Sequence, residues 1–405
     1  MRIRSLINRL LPPGNTLRRM LVHWVRMVSG RRVYQLERLS GRAWRRWLIR
    51  RGEPAILPLA LQAVAGSLSA VIDCRRLQDG TDLCACLMGS GQSAVFLALD
   101  DLVVDEVCLT RMGEMVHVGK VLVYGDDDRL DGKGCRLRPR LRPHYSRILF
   151  ENIWYLGELV ACQRERLLAF CEASGPDLAA LSPREILSRF VLGLADREIR
   201  HCAQIVAHLG PGASTRDWYR HQSVPVPALP PSLDVSVIIP NRDQAGMLER
   251  CLDSLQKYSG GHRLEIVIVE NGSREAATFA LYERLRRDPS VRILEWKAPF
   301  NYAAINNMAA AASRSGLLLF LNNDVEARQA WLQPLAQYAL RPEVGAVGAK
   351  LLYPSGRIQH AGMVLGMVGS AGHIFRFSPG HSDGYLGLLR FPRDAGALTG
   401  ACIMM

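Results

Sequence analysis

The chain has 405 residues, 48% apolar and 22% charged, which excludes a disordered or collagen-like polypeptide and leaves room for two or three packed domains. Its formal charge of +13 sits entirely in residues 1–51, which hold fourteen arginines, no lysine and a single acid, Glu37. Of the 51 basic and 38 acidic side chains, the 37 of each sign that remain cancel, so the excess is a terminal patch and not a property of the body.

In residues 1–51 the arginines alternate with Leu10, Leu11, Leu21, Trp24, Trp44 and Trp47. Basic residues interleaved with tryptophan and leucine suit a helix lying on an anionic membrane face. A solvated tail, a helix docked on the body and a nucleic-acid patch stay open for this segment. Nothing else in the chain resembles a nucleic-acid module, so no nucleic-acid partner is expected. Arginines interrupt every apolar run here, so the segment does not read as a secretory signal. Ala55–Ile72 is apolar but broken by Pro58, Gln62, Gly66, Ser67 and Ser69, and reads as a buried helix rather than a membrane span. Ten scattered cysteines include no CxxC pair, which points to free thiols in a reducing compartment.

Two nucleotide motifs fail on context. Gly89–Ala94 matches GxGxxA, but Val95–Leu99 behind it reads as strand, where the fingerprint needs a helix N-terminus. Gly113 and Gly119-Lys120 miss the P-loop spacing and lack its Ser/Thr. Ser223–Ser232 holds four prolines and marks a connector between a first body, 52–222, and a second, 233–405.

The second body has a βα rhythm. Strands are predicted over Val235–Ile239, Leu264–Val269, Val291–Trp296 and Leu317–Leu321, and helices over Ala245–Tyr258, Glu275–Arg287 and Ala303–Arg314. Strands that are apolar throughout and alternate with helices predict a mostly parallel sheet covered on both faces. Ligands of such sheets bind beyond the carboxyl ends of the strands. Those ends carry Pro240-Asn241-Arg242-Asp243, Glu270-Asn271-Gly272-Ser273 and Asn322-Asn323-Asp324, whose amides and carboxylates suit a ribose, a base edge and a divalent metal.

The segments Val235–Pro240, Ile266–Ser273 and Leu318–Asp324 together resemble family 2 glycosyltransferases with the GT-A fold. Val344–Tyr353, Gly356–Gly362 and Thr399–Cys402 are similar to the rhamnosyltransferase-like branch that builds bacterial surface polysaccharides. The resemblance implies an α/β, GT-A-like (Rossmann-like) sheet with flanking helices over 233–405. It implies that Pro240, Asn241, Arg242 and Asp243 line the nucleotide and that Glu270, standing where the family usually has aspartate, and Asn271 meet the base. Asn301 and Asn307 look like asparagines flanking the donor pocket. Asn322, Asn323 and Asp324 take the place of the DxD motif, with Asp324 the main protein ligand of a Mg2+ or Mn2+ ion. His360 reads as structural or as part of an acceptor wall. The family's general base lies downstream of the Thr-Gly-Ala-Cys segment, so it is expected beyond Met405, and the domain is expected to be incomplete at its C-terminus.

Lys120–Asp128, Leu130–Gly132, Arg142–Ser146 and Arg197–Leu209 resemble, more faintly, the latter half of a related glycosyltransferase domain. Without the nucleotide-binding turns, 52–222 reads as a degenerate GT-A-like α/β domain, although Asp100-Asp101 and Asp126–Asp128 are metal-ligand types. The resemblance thus implies inverting, metal-dependent transfer of a sugar, rhamnose by that branch, from a nucleoside-diphosphate donor to a lipid-linked glycan. The alternative is a catalytically incomplete sugar-nucleotide-binding or scaffold protein of polysaccharide assembly. A lipid-linked acceptor gives residues 1–51 a reason to sit at the cytoplasmic face of the cell membrane. Deleting them is expected to shift the protein from the membrane to the soluble fraction on cell fractionation; an unchanged partition defeats that assignment.

Overall fold

The structure, a computed structural model, describes residues 63–64, 71–104, 106–214, 219–220, 229–367 and 370–405. The arginine-rich segment 1–51, and with it the expected membrane contact, lies outside the described residues, as does most of the connector 223–232. The described parts of the stretch expected to be a buried helix at Ala55–Ile72 are strand instead, at Ala63–Val64 and in Val71–Asp73. Val71 and Ile72 there pair in parallel with Phe96 and Leu97, a sheet edge that the β-branched residues suit. Among the described residues no helix is long and apolar enough to cross a membrane.

The described chain divides into two compact units. The first is built on a mixed sheet ordered Ala63–Val64, Leu102–Val104, Ile199–Leu209, Leu122–Leu130, Leu159–Gln163, Ala94–Ala98, Val71–Asp73, with Arg136–Arg140 folded back onto Leu122–Leu130. Only the pairs Leu122–Leu130 with Ile199–Leu209 and Val71–Asp73 with Ala94–Ala98 are parallel. The helix Glu106–His117 covers one face through Leu109, Met112 and Val116. Gly80–Gly89, Arg164–Ser174 and Pro183–Gly193 cover the other through Leu83, Leu87, Leu167, Ile186 and Phe190. Gly89 ends a helix and Ala94 begins a strand, so the GxGxxA match has no helix behind it.

This unit also contains His381–Asp394, a segment that the expected boundary at 233–405 placed in the second body. Leu388 and Phe391 pack on the first unit's core, the Leu141 amide donates to the Tyr385 hydroxyl at 2.6 Å, and the Asp394 amide donates to Ser146 Oγ at 3.1 Å.

The second unit has the sheet order Val291–Glu295, Arg263–Glu270, Asp234–Asn241, Leu317–Leu321, Cys402–Met404, Val347–Gly348. The first four strands are parallel, and Cys402–Met404 runs antiparallel between its neighbours. Alternation along the central strand explains why the sheet is covered twice. Val235, Val237 and Ile239 pack with Leu248, Leu281 and Leu335 of three helices on one face, whereas Ile238 packs with Ile305 and Ala309 on the other. Strand order reverses between Asp234–Asn241 and Leu317–Leu321, and a crevice opens at such a switch point. Pro240 helps to open it. The central strand continues through Pro240–Asn241 along Arg263–Glu270, but Leu317–Leu321 leaves it at Ile238↔Phe320. The Asn241 carbonyl accepts from the Asn271 amide at 2.9 Å, so Pro240, which has no N–H to give, faces the side already vacated.

In the first unit three consecutive carboxylates, Asp126, Asp127 and Asp128, are buried and each is paired, Asp127 and Asp128 with arginines and Asp126 with a histidine. Asp127 pairs with Arg140 and, at 2.7 Å, with Arg142; Asp128 pairs with Arg136 at 2.7 Å and with His208; Asp126 pairs with His201 at 2.9 Å. These carboxylates are spent on protein partners. Asp127→Ala leaves two guanidinium groups without their shared counter-charge, so it is expected to destabilise the first unit by about 3–5 kcal/mol, read from urea unfolding of the full chain. A loss below about 1 kcal/mol contradicts this account of the network.

Candidate functional site

The carboxyl ends of three parallel strands are tied together by side chains. Asn241, 2% exposed, sits at the end of the central strand. Its Oδ1 accepts from Asn323 Nδ2 at 2.7 Å across the switch point, and its Nδ2 donates to the Tyr282 hydroxyl at 2.8 Å. Tyr282 donates in turn to Glu270 Oε2 at 2.7 Å, at the end of the second strand. The Ser273 hydroxyl also donates to Glu270 Oε2 at 2.7 Å, and the Ser273 amide donates to Oε1. Gly272, with φ 75°, supplies the left-handed residue that lets Ser273 turn back onto Glu270. The Glu270 carboxylate is therefore buried and engaged at both oxygens by its own chain.

The turn after the central strand is strained. Asp243 and Gln244 are consecutive left-handed residues, with φ 55° and 60°, at roughly 1–3 kcal/mol each. Hydrogen bonds offset this. Asp243 Oδ1 accepts from the Arg274 and Glu275 amides at 2.6 and 2.9 Å, the Asp243 amide donates to Ser273 Oγ at 2.8 Å, and the Gln244 amide donates to Glu275 Oε2 at 3.0 Å. Two backbone N–H groups aimed at one carboxylate hold the Asp243 pKa below the ordinary range. The Tyr282 hydroxyl is shifted the other way, raised by burial and by the Glu270 carboxylate it serves.

The structure thus joins Asn241, Asp243, Glu270 and Asn323 through hydrogen-bonding side chains and Asn271 through its backbone. Pro240 shapes the opening, and Arg242 is exposed beside it. Asn322 holds the fourth strand's end in place, its amide donating to the Ala401 carbonyl at 3.0 Å and its carbonyl accepting from Cys251 Sγ at 3.9 Å. Burial, reinforced by the Asp324 and Glu326 carboxylates, pushes the Cys251 thiol up to about 12, which keeps it an inert proton donor. Asn301 and Asn307 are not tied to these turns. Asn301 caps the helix Tyr302–Ala312, accepting from the Ala304 amide at 3.0 Å, and Asn307 is exposed on that helix. Their neighbour Asn306 is the buried one, with Nδ2 on the Tyr302 carbonyl at 2.8 Å and Oδ1 without a partner. Tyr302 binds the Gly400 carbonyl at 2.8 Å, so the Thr399–Cys402 segment borders this end of the sheet.

Sequence reasoning missed Tyr282, Tyr302 and Asn306. Tyr282 left one usable signal, a hydroxyl on the same buried helix face as Leu281 that needs a partner. His360 is 1% exposed and its Nδ1 lies 3.0 Å from His373 Nδ1, while its Nε2 accepts from the Gly362 amide. Accepting at Nε2 places the His360 proton on Nδ1, so His373 accepts there and carries its own proton on Nε2. Burial, with Arg376 nearby, lowers the His373 pKa.

Asp324 differs from every other acid at this end. It is exposed and makes no hydrogen bond or ion pair with any described residue. No cluster of three or more His, Cys, Asp or Glu side chains that could hold a metal occurs among the described residues. A lone oxygen ligand in an open crevice suits a hard cation that completes its shell with phosphate oxygens and water, not one caged by protein.

Residues 236–390 match the family described as "Glycosyl transferase family 2". The match likens this part of the chain to a family 2 glycosyltransferase domain. The chain is 35% identical over 318 residues to the O-antigen biosynthesis protein RfbC of Myxococcus xanthus, covering 70% of this chain and 25% of that one. It is 32% identical over 357 residues to the uncharacterized protein y4gI of Sinorhizobium fredii, covering 78% and 39%. The chain therefore spans a quarter to two fifths of the length of these relatives. Among solved structures, a mannosyltransferase from Pyrobaculum calidifontis in complex with GDP-Man and Mn2+ is 23% identical over 30% of this chain and 36% of its own, with a TM-score of 0.27.

Because the folded pKa of Asp243 is depressed, its hold on the turn is complete above the ordinary carboxylate pKa near ~3.9 and is lost as pH falls through the lower, folded value. An NMR titration of the Arg274 and Glu275 amides is expected to show one midpoint below that ordinary value. A midpoint at or above it contradicts the capping role.

Proposed function

We propose that the second unit binds a nucleoside-diphosphate sugar at the switch point and serves transfer of that sugar to a lipid-linked glycan of a bacterial surface polysaccharide. The observation that carries this reading is Asp324, an exposed carboxylate with no partner among the described residues, placed next to a junction where the neighbouring acids are used by the chain itself. Asp324 holds the Mg2+ or Mn2+ ion. The bound ion supplies neutralisation of the charge on the departing diphosphate.

The chain's own residues do the rest. The half-buried turn at Asn271 offers polar groups to ribose and base, while Asn241 and Asn323 are engaged with each other. Arg242, exposed beside them, adds a fixed positive charge. The helices Ala245–Tyr258 and Tyr302–Ala312 begin at this end of the sheet, and their N-termini favour a diphosphate there. Glu270 acts from behind, holding Ser273 and Tyr282, instead of reaching the base with an oxygen already bonded twice. Rhamnose as the sugar, inversion at its anomeric carbon and a membrane-surface location through residues 1–51 belong to the same proposal. Their support is the likeness of Gly356–Gly362 and Thr399–Cys402 to the rhamnosyltransferase-like branch and the relation to an O-antigen biosynthesis protein.

Calorimetric titration of the full chain with UDP, GDP and dTDP, each with Mg2+, with Mn2+ and with a chelator, tests the reading. Metal-dependent binding of one nucleotide is expected. Asp324→Asn should weaken it at least roughly tenfold, about 1.4 kcal/mol, while the melting temperature stays put, because an exposed side chain without partners contributes within about 0.5 kcal/mol. Binding of no nucleotide with either metal, or binding unchanged in Asp324→Asn, defeats it.

A further inference from the structure

The junction at the strand ends carries an implication about Tyr282, a residue that touches neither the exposed face of the crevice nor Asp324. Four side chains form one hydrogen-bonded wire, from Asn323 through Asn241 and Tyr282 to Glu270, with links of 2.7, 2.8 and 2.7 Å. Its polarity is fixed by chemistry. A carboxylate only accepts, so the Tyr282 proton must point to Glu270. The tyrosine oxygen then has only lone pairs left for Asn241, which must present its NH2 group. That turns the Asn241 carbonyl towards Asn323, which must donate. Reversing any one amide would set two acceptors or two donors against each other inside the protein, at the cost of a buried unmade bond.

The wire crosses the switch point. At one end is the Glu270–Ser273 turn on the second strand, and at the other is Asn323, the residue before Asp324 on the turn after the fourth strand. No backbone hydrogen bond links the central strand to the fourth beyond Ile238↔Phe320, so the side-chain path is what holds those two ends in register. We infer that Tyr282 is a positioning residue: its hydroxyl couples the base-side turn at Glu270 to the metal-side turn at Asn323–Asp324, so that cation affinity depends on a buried phenol on a helix behind the sheet. This rests on the donor-site reading proposed above.

Tyr282→Phe removes the hydroxyl and keeps the ring, including its edge contact with Phe279 at 6.2 Å between centroids. Glu270 Oε2 retains Ser273 Oγ, and Asn241 Nδ2 retains the Asp243 carbonyl at 3.2 Å, so the variant keeps partners at both broken ends and is expected to fold. The probe is Mn2+ together with whichever of UDP, GDP or dTDP the wild-type full chain binds. Tyr282→Phe is expected to weaken Mn2+-dependent binding roughly tenfold, with nucleotide binding in chelator changed less than about twofold. A loss of fold would weaken both alike, so that split separates positioning from packing. Asn323→Ala cuts the wire at its other end and should reproduce the loss, again with nucleotide binding in chelator changed less than about twofold. The double variant should lose no more than either single one, because both cut the same path. Full additivity of the two losses overturns the inference, as does Mn2+-dependent binding unchanged in either single variant while the wild type binds. A wild-type chain that binds none of the nucleotides defeats the donor-site reading itself, an outcome visible before any variant is made.

Discussion

The hydrogen bond between Asn323 and Asn241 closes the one gap that the sheet cannot close with its backbone. A parallel sheet that reverses its strand order must let two adjacent strands diverge at their carboxyl ends, and divergence strands polar backbone groups in a crevice. Here Pro240 removes one of those groups, the Asn271 and Asn322 amides are satisfied by the Asn241 and Ala401 carbonyls, and side-chain amides span what is left. The residues that look most like ligand binders in the sequence are therefore mostly engaged with each other. What the crevice presents outward is the remainder: Arg242, the half-buried turn amides and Asp324.

The extent to which this was legible in the sequence follows the range of the interactions. The helix Ala245–Tyr258 and the strand Leu317–Leu321 end where their apolar periodicity ends, because both are set by local pattern and by which face is buried. The central strand runs two residues beyond its apolar core, through Pro240 and Asn241, since only one neighbour remains there and a missing N–H goes unnoticed. Asp243 stands at a strand end and reads as a ligand, yet it caps a turn thirty-one and thirty-two residues away. Tyr282 lies 41 residues from Asn241, and no spacing rule connects them. Nor does composition show that His381–Asp394 leaves the second unit to pack with the first; its Tyr385, Leu386 and Leu389 look like ordinary core residues of whichever domain holds them.

Two acidic stretches of the chain make the physical distinction plain. Asp126–Asp128 and Asp324 each follow an apolar strand segment, and by residue type alone both are metal-ligand candidates. In the first unit a returning strand brings Arg136, Arg140 and Arg142 against the acids, with His201 and His208 on the other side, and all of these side chains are 7% exposed or less. A buried carboxylate already neutralised by guanidinium offers a cation nothing to gain, because binding would leave the arginines unpaired in a poorly solvated interior. Asp324 is the converse case: exposed, without a partner among the described residues and flanked by the Asn322 and Asn323 contacts, so its charge is available at a fixed place. Environment, not residue identity, separates an acid spent on structure from one left available.

The same reasoning accounts for why Glu270 can replace the shorter acid usual at its position. An aspartate at the end of that strand would fall short of Tyr282 by a methylene and would leave the tyrosine hydroxyl proton to find another acceptor in a buried site. The glutamate reaches it, and its extra length is absorbed inside the protein. The acid becomes the fixed negative end against which the neighbouring amides are oriented.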